Sequence, residues 1–136
     1  MDRSEIYIKM CEEAEDILEK WIPTKWDYCY CKIENKIVVL SGYETDGGYY
    51  GHSIYENEID GCKKNKHFLI PRQDQLQNMM GNYYDAVERM YEALCKDHWD
   101  LWQDCKSMEQ LWLGFVMFEN YNKKWSEDKQ KWIKKG

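Results

Sequence analysis

Arg72, Gln73 and Gln75 stand where the apolar run Phe68-Leu69-Ile70 ends at Pro71 and a helical pattern opens at Asp74. A helix start leaves backbone N–H groups without partners and carries a positive partial charge, so it can receive an anion. Arg72 would add a two-pronged donor and the glutamines neutral hydrogen bonds, which suits an acidic side chain, carboxylate or phosphate. The same residue types also serve a helix start for its own stability. Asp74 followed by Gln77 reads as a capping box, and Arg72 would then pair with the acidic first helix.

A second candidate lies between Gly42 and Tyr55, where Gly47, Gly48 and Gly51 sit among Tyr43, Tyr49, Tyr50 and Tyr55, with His52 beside them. Glycines permit tight backbone shapes, and tyrosines give large contact areas with few rotatable bonds. Tyr49, Tyr50 and His52 are therefore candidate binding residues, against the alternative of an ordinary hairpin with aromatics packed on a sheet. Cys95 and His98 are three apart and Cys105 follows, but no paired Cys-x-x-Cys makes a structural zinc site strong. The histidines His52, His67 and His98 fall in no nucleophile motif, and neither a Walker loop nor a dinucleotide fingerprint occurs. The expectation is a binding protein without catalytic residues, cofactor or metal. The rival is a small enzyme acting on a phosphorylated or nucleotide substrate through His52 and Arg72.

The elements that must position these residues follow from periodicity. Residues 4–21 read as one amphipathic helix capped by Ser4, with Ile6, Met10, Ala14, Ile17, Leu18 and Trp21 on one face and acids on the rest. Residues 26–41 read as a hairpin turning at Glu34-Asn35, with Cys29, Cys31 and Ile33 on one face. Tyr49 to Tyr55 and His67 to Ile70 add short strands. From Asp74, Leu76, Met80, Tyr83, Val87, Met90 and Leu94 make a seam at heptad spacing, with Gly81 a point where the helix would kink or break. The seam is expected to be internal core, a contact between two copies of the chain being the alternative. Ser107-Met108-Glu109-Gln110 is a second capping box, opening a helix apolar nearly all round and hence central. Residues 123–136 read as a solvated, basic helical end.

Composition bounds the class. The 136 residues suffice for one ordinary domain, 43% of them hydrophobic and 32% charged. The net charge is −6, but residues 123–136 carry six lysines and two acids, net +4, leaving net −10 on the rest. With three arginines and an acidic body, the chain is a poor partner for nucleic acid, whose binding rests on neutralised phosphates. No apolar run approaches a membrane span and the N-terminus does not read as a secretory signal. A cytoplasmic protein is expected, its six cysteines reduced and packed as small apolar groups.

Three stretches carry a resemblance: Ile6 to Glu15, Phe68-Leu69-Ile70-Pro71-Arg72-Gln73-Asp74-Gln75-Leu76-Gln77, and Glu109 to Met117 followed by Tyr121 to Trp125. Together they resemble a group of small proteins of unknown function encoded by phages and prophages of Clostridia and related Firmicutes. The likeness covers about a quarter of the chain, Pro-Arg-Gln-Asp-Gln-Leu being its most specific piece, and does not extend over residues 26–66. It implies a phage gene acting in a bacterial cell, and no reaction. The overall expectation is one α+β domain over residues 1–136, a small antiparallel sheet from residues 26–70 packed against the first helix and a helical half from 74–125. Its function would be to bind a host protein or a small anionic or nucleotide ligand, inhibition of a bacterial defence system being a purpose consistent with that setting. A structural or assembly role in the phage is a third reading.

Overall fold

The computed structural model describes residues 1–43, 49–53, 58–62, 67–96 and 103–136, with only the backbone for residues 41–43, 49–53, 58–62 and Tyr83. Five helices and two antiparallel sheets are described, so the class is α+β. Two compact units divide the chain, Glu15–Pro71 in one and Met1–Ala14 with Arg72–Gly136 in the other. No helix among the described residues is long and apolar enough to cross a membrane.

The first apolar stripe is split. Helix α1 (Glu5–Glu12) is capped by Ser4, whose hydroxyl accepts from Tyr7 N–H, and α2 (Glu15–Lys20) follows after a break. The expected single helix over 4–21 fails at Glu13 and Ala14, where Ala14 N–H turns back to Cys11 C=O at 3.2 Å. The charges account for the break. A continuous helix would hold Glu12, Glu13, Glu15 and Asp16 in its interior, whereas the break puts Glu15 and Asp16 in a new first turn, where the helix dipole favours them. Lys9 compensates at the end of α1, reaching Glu13 at 2.7 Å and Glu12 at 3.2 Å.

In the unit Glu15–Pro71, β1 (Tyr28–Cys31), β2 (Lys36–Tyr43), β3 (Tyr49–Ser53), β4 (Glu58–Cys62) and β5 (His67–Leu69) form one antiparallel sheet in the order β4-β3-β2-β1-β5. β1 alternates as its sequence dictates, Cys29 and Cys31 buried and Tyr28 and Tyr30 half-buried. Cys29 stands opposite Val38 and Leu69, and Cys31 opposite Lys36 and His67, while Tyr30 meets Phe68 with ring centres 5.3 Å apart. Ile33 departs from the expected cysteine face. It sits in the Lys32–Asn35 turn and is exposed, because Asn35 takes a left-handed φ of 52° and ends the alternation there. Asp27, buried at the entry to β1, accepts from Trp21 Nε1 and from Thr24 N–H, each at 2.9 Å, tying the end of α2 to the sheet.

In the other unit, α3 (Gln73–Asn78), α4 (Tyr83–Cys95) and α5 (Met108–Tyr121) join α1 and a hairpin of β6 (Lys123–Ser126) and β7 (Lys131–Lys134). The expected break falls at Gly81, whose φ of +88° is readily adopted only by glycine, and Asn82 caps the new helix. The break shifts the phase of the seam. Leu76, Met80 and Met90 are buried as expected, but Ala86 takes the inward position and Val87 is exposed. α5 is central, every residue from Trp112 to Phe118 being buried. It stops at Asn122 in the left-handed conformation, so the basic end is no helix. Residues 123–134 alternate instead as a β-hairpin, Trp125 opposite Trp132 with ring centres 5.3 Å apart, and Trp132 Nε1 donates to Met10 C=O at 2.9 Å.

Candidate functional site

The Pro71-Arg72-Gln73-Asp74-Gln75 string uses its polar groups on its own helix. Arg72 is the residue preceding α3, and its backbone N–H donates to Gln75 Oε1 at 2.9 Å. This is half a capping box, since a guanidinium has no acceptor with which to return the bond. The box therefore starts two residues before the expected Asp74–Gln77 pair. The Arg72 guanidinium meets Asp74, Nε to Oδ1 at 3.0 Å and a terminal nitrogen to Oδ2 at 3.3 Å, a fork closed two residues away rather than on the first helix. That hydrogen bond holds the Asp74 carboxyl below the usual carboxylate range. Gln73 is half-buried in the first turn, and α3 is only six residues long.

Tyr49, Tyr50 and His52 lie on β3, so this part of the glycine- and tyrosine-rich segment is sheet. In register, Tyr49 faces Tyr43 on β2 and Cys62 on β4, Tyr50 faces Gly42, and His52 faces Val39 and Glu58. A register shift between Leu40 and Gly42 falls beside them, in a glycine-bearing stretch that accommodates a bulge. Residues 44–48 and 54–57 of that segment lie outside the described residues, as does His98 of the candidate metal trio. Cys95 is exposed at the end of α4, Cys105 is half-buried, and among the described residues no group of three His, Cys, Asp or Glu could hold a metal.

A partly open cavity lies elsewhere, beside α5. Gln110, Gly114 and Phe118 recur at four-residue spacing along one stripe of that helix and line a cavity of about 320 Å³, with Lys124 and Trp125 of β6 also in its wall. Gly114 opens the stripe, because no side chain fills its position midway between the other two. Gln110 is fully engaged, accepting from Lys106 N–H at 3.0 Å and donating to Asp2 and Ser4. Trp125 is not. Its Nε1–H is buried and meets no acceptor among the described residues. Trp112 Nε1–H is in the same position among the described residues, and burying an indole donor without a partner costs about 1–3 kcal/mol. Cys105 stands in the same wall. Burial, with Asp104 and Glu127 nearby, pushes its thiol up to about 11, so it is neutral at pH 7 and a poor nucleophile.

Comparison with family models, with curated proteins and with solved structures finds no match to this chain.

The unit Glu15–Pro71 has a groove of its own, about 420 Å³, lined among others by Glu15, Glu19, Trp21 and Phe68. The Lys32 ammonium lies 5.5 Å from its Phe68 ring centre, as the Lys135 ammonium lies 3.5 Å from that of Phe118 in the α5 cavity. The α5 cavity is the less open of the two and the stronger candidate. Sequence reasoning missed Gly114, Lys124 and Trp125. The available signals were a glycine placed inside an otherwise apolar helix and two tryptophans set to pair across a hairpin.

Proposed function

We propose that this chain is a non-catalytic binding protein that holds a small anionic ligand in the α5 cavity, acting in a bacterial cytoplasm as the product of a phage or prophage gene. The carrying observation is the cavity beside α5, whose wall sets Lys123 and Lys124 beside the apolar Met10, Phe118 and Ile133. Cationic groups beside an apolar wall suit a small ligand with an anionic group on an apolar body. The neutral Cys105 thiol favours holding over turnover, since no activated nucleophile faces the space among the described lining residues. The phage setting follows from the resemblance of Pro71-Arg72-Gln73-Asp74-Gln75-Leu76 and its companion stretches, and sequestering a small nucleotide signal used in host defence is a purpose such a pocket would serve.

The test is a thermal melt in the presence of the small-molecule fraction of a bacterial lysate. A bound ligand at one hundred times its Kd adds about 2.7 kcal/mol to stability, which raises Tm by several degrees. Wild type is expected to respond, and Gly114→Leu, which fills the cavity with a side chain, is expected not to. A flat response in wild type, or an equal one in Gly114→Leu, contradicts the reading.

A second reading, masking of a host protein, is favoured by the outer face of α4, where Tyr84 and Tyr91 are 80% and 68% exposed with Val87 between them. Exposed aromatics at one-helical-face spacing are interface chemistry. Capture of one stoichiometric host protein that Tyr84→Ser/Tyr91→Ser loses, with no ligand response in the melt, would favour it.

A further inference from the structure

The outer face of α4 carries two rows of side chains. Tyr84, Val87 and Tyr91 step by three and four and are all exposed, and Asp85, Glu88 and Glu92 repeat the same steps one residue further on, also exposed. One residue is a rotation of about 100° on a helix, so an apolar row and an acidic row run side by side over about 10 Å. The helix is anchored by a different side, where Ala86 and Met90 are buried. Neither row is therefore spent on holding α4 in place, and aromatics left exposed in line mark an interface.

The acidic row borders a groove of about 620 Å³ lined by Met80, Asn82, Asp85, Glu88, Arg89 and Glu92. The cations beside it are in use. Arg89 turns back to donate to Met80 C=O at 2.7 Å, and Lys96 meets Glu92 at 3.4 Å. Asp85 and Glu88 make no ion pair among the described residues. A second copy of the chain suits this face poorly, because pairing the apolar rows antiparallel sets Glu88 close to its own counterpart and joins two bodies of net −10. Nucleic acid is repelled by the same carboxylates. A straight face with an apolar row and an acidic flank, on a helix about 20 Å long, is matched by another helix with an apolar seam and a basic flank. We propose that the outer face of α4 docks a basic amphipathic helix of a partner protein, its apolar side on Tyr84, Val87 and Tyr91 and its lysines or arginines reaching Asp85 and Glu88.

This inference rests on the α4 face being an interface and is independent of the α5 cavity. Fluorescence anisotropy with the whole chain uses three labelled peptides of about 18 residues, with leucines at heptad spacing and lysine, glutamine or glutamate elsewhere. The lysine peptide is expected to bind one to one with a Kd of about 10 μM or tighter, and the glutamine peptide about tenfold more weakly. Tyr84→Ser/Tyr91→Ser, which alters exposed side chains only, is expected to weaken the lysine peptide about tenfold and leave Tm in place. Asp85→Lys/Glu88→Lys is expected to reverse the preference, taking the glutamate peptide ahead of the lysine one. Glu88→Lys alone should weaken the lysine peptide by about fivefold, whereas Asp128→Lys, the same change of charge in the turn between β6 and β7, should bind as wild type. An equal loss in Asp128→Lys overturns the proposal, since net charge and not α4 would then hold the peptide. If the glutamine peptide binds as tightly as the lysine one and Tyr84→Ser/Tyr91→Ser loses both, the partner's charge is wrong and the interface stands. If no peptide binds at about 1 mM, both fail. A dimer in sedimentation at about 100 μM chain that Tyr84→Ser/Tyr91→Ser abolishes assigns the face to a second copy and overturns the basic partner.

Discussion

A single carboxylate, Asp2, ties the start of the chain to the start of α5. It accepts from Ser107 Oγ at 2.5 Å, Gln110 Nε2 at 2.7 Å and its neighbour Ser4 N–H at 2.8 Å. Burial pushes its pKa up, but the hydrogen bonds from Ser107, Ser4 and Gln110 outweigh burial and hold the carboxyl below the usual carboxylate range. A carboxyl whose folded pKa lies below its unfolded one stabilises the fold above the unfolded value, near 3.8, and loses that contribution as pH falls through the folded one. Asp2→Ala, which also strands the buried Gln110 amide, is expected to cost about 2 kcal/mol by urea unfolding at pH 7. The gap from wild type should shrink at pH 3, and a gap that widens there contradicts the account. Cys105 supplies a second residue-scale test. With its thiol pushed up to about 11, it should react with iodoacetamide at pH 8 far more slowly than exposed Cys95, and faster as pH approaches 11. Peptide mass spectrometry reads both sites in one sample. The caps at Ser4 and Ser107 were legible in sequence because cap chemistry is local. The contacts that Asp2 makes across more than a hundred residues were not, because Asp2 carries no local sign of a distant partner.

Elements form or break here where backbone conformation and charge decide between near-equal alternatives. Gly81 separates α3 from α4 at a φ of +88°, with nothing within 4 Å of where a Cβ would stand. Gly81→Ala therefore meets no clash, and its cost isolates the backbone term. It is expected to lose about 1 kcal/mol by urea midpoint, whereas an unchanged or raised midpoint would mean that α3 and α4 can run on as one helix. That break was readable from one residue type, and so was the β1 hairpin, whose cysteines and tyrosines alternate cleanly. β4 was not, because an edge strand with Glu58 and Asp60 around one apolar Ile59 has the charged pattern that protects exposed edges and resembles a loop. The C-terminal hairpin hid for another reason. Five lysines among its residues suit a helix surface equally well, and the deciding contacts, Trp125 on Trp132 and Trp132 to Met10, come from pairing and tertiary structure. The cavity was least legible, since Gly114 contributes to it by having no side chain.

At the scale of the molecule, charge is divided between an acidic body and a basic hairpin, and the cavity takes part of its wall from that hairpin. An anionic ligand drawn to the chain would be repelled over most of its surface and attracted where Lys123, Lys124, Lys131 and Lys134 gather on β6 and β7. Binding should therefore weaken as ionic strength rises from about 20 mM to about 500 mM, while Gly114→Leu shows no binding at either salt. Sequence composition gave access to this division of charge, but the fold was needed to set the lysines beside a cavity. The central claim, that the chain holds a small molecule without changing it, is tested most directly by native mass spectrometry of protein incubated with the lysate small-molecule fraction. The account predicts one ligand mass per chain, released on denaturation with its mass unchanged after prolonged incubation, and absent from Gly114→Leu. A bare protein mass, or a ligand mass that disappears into a product over time, would contradict it.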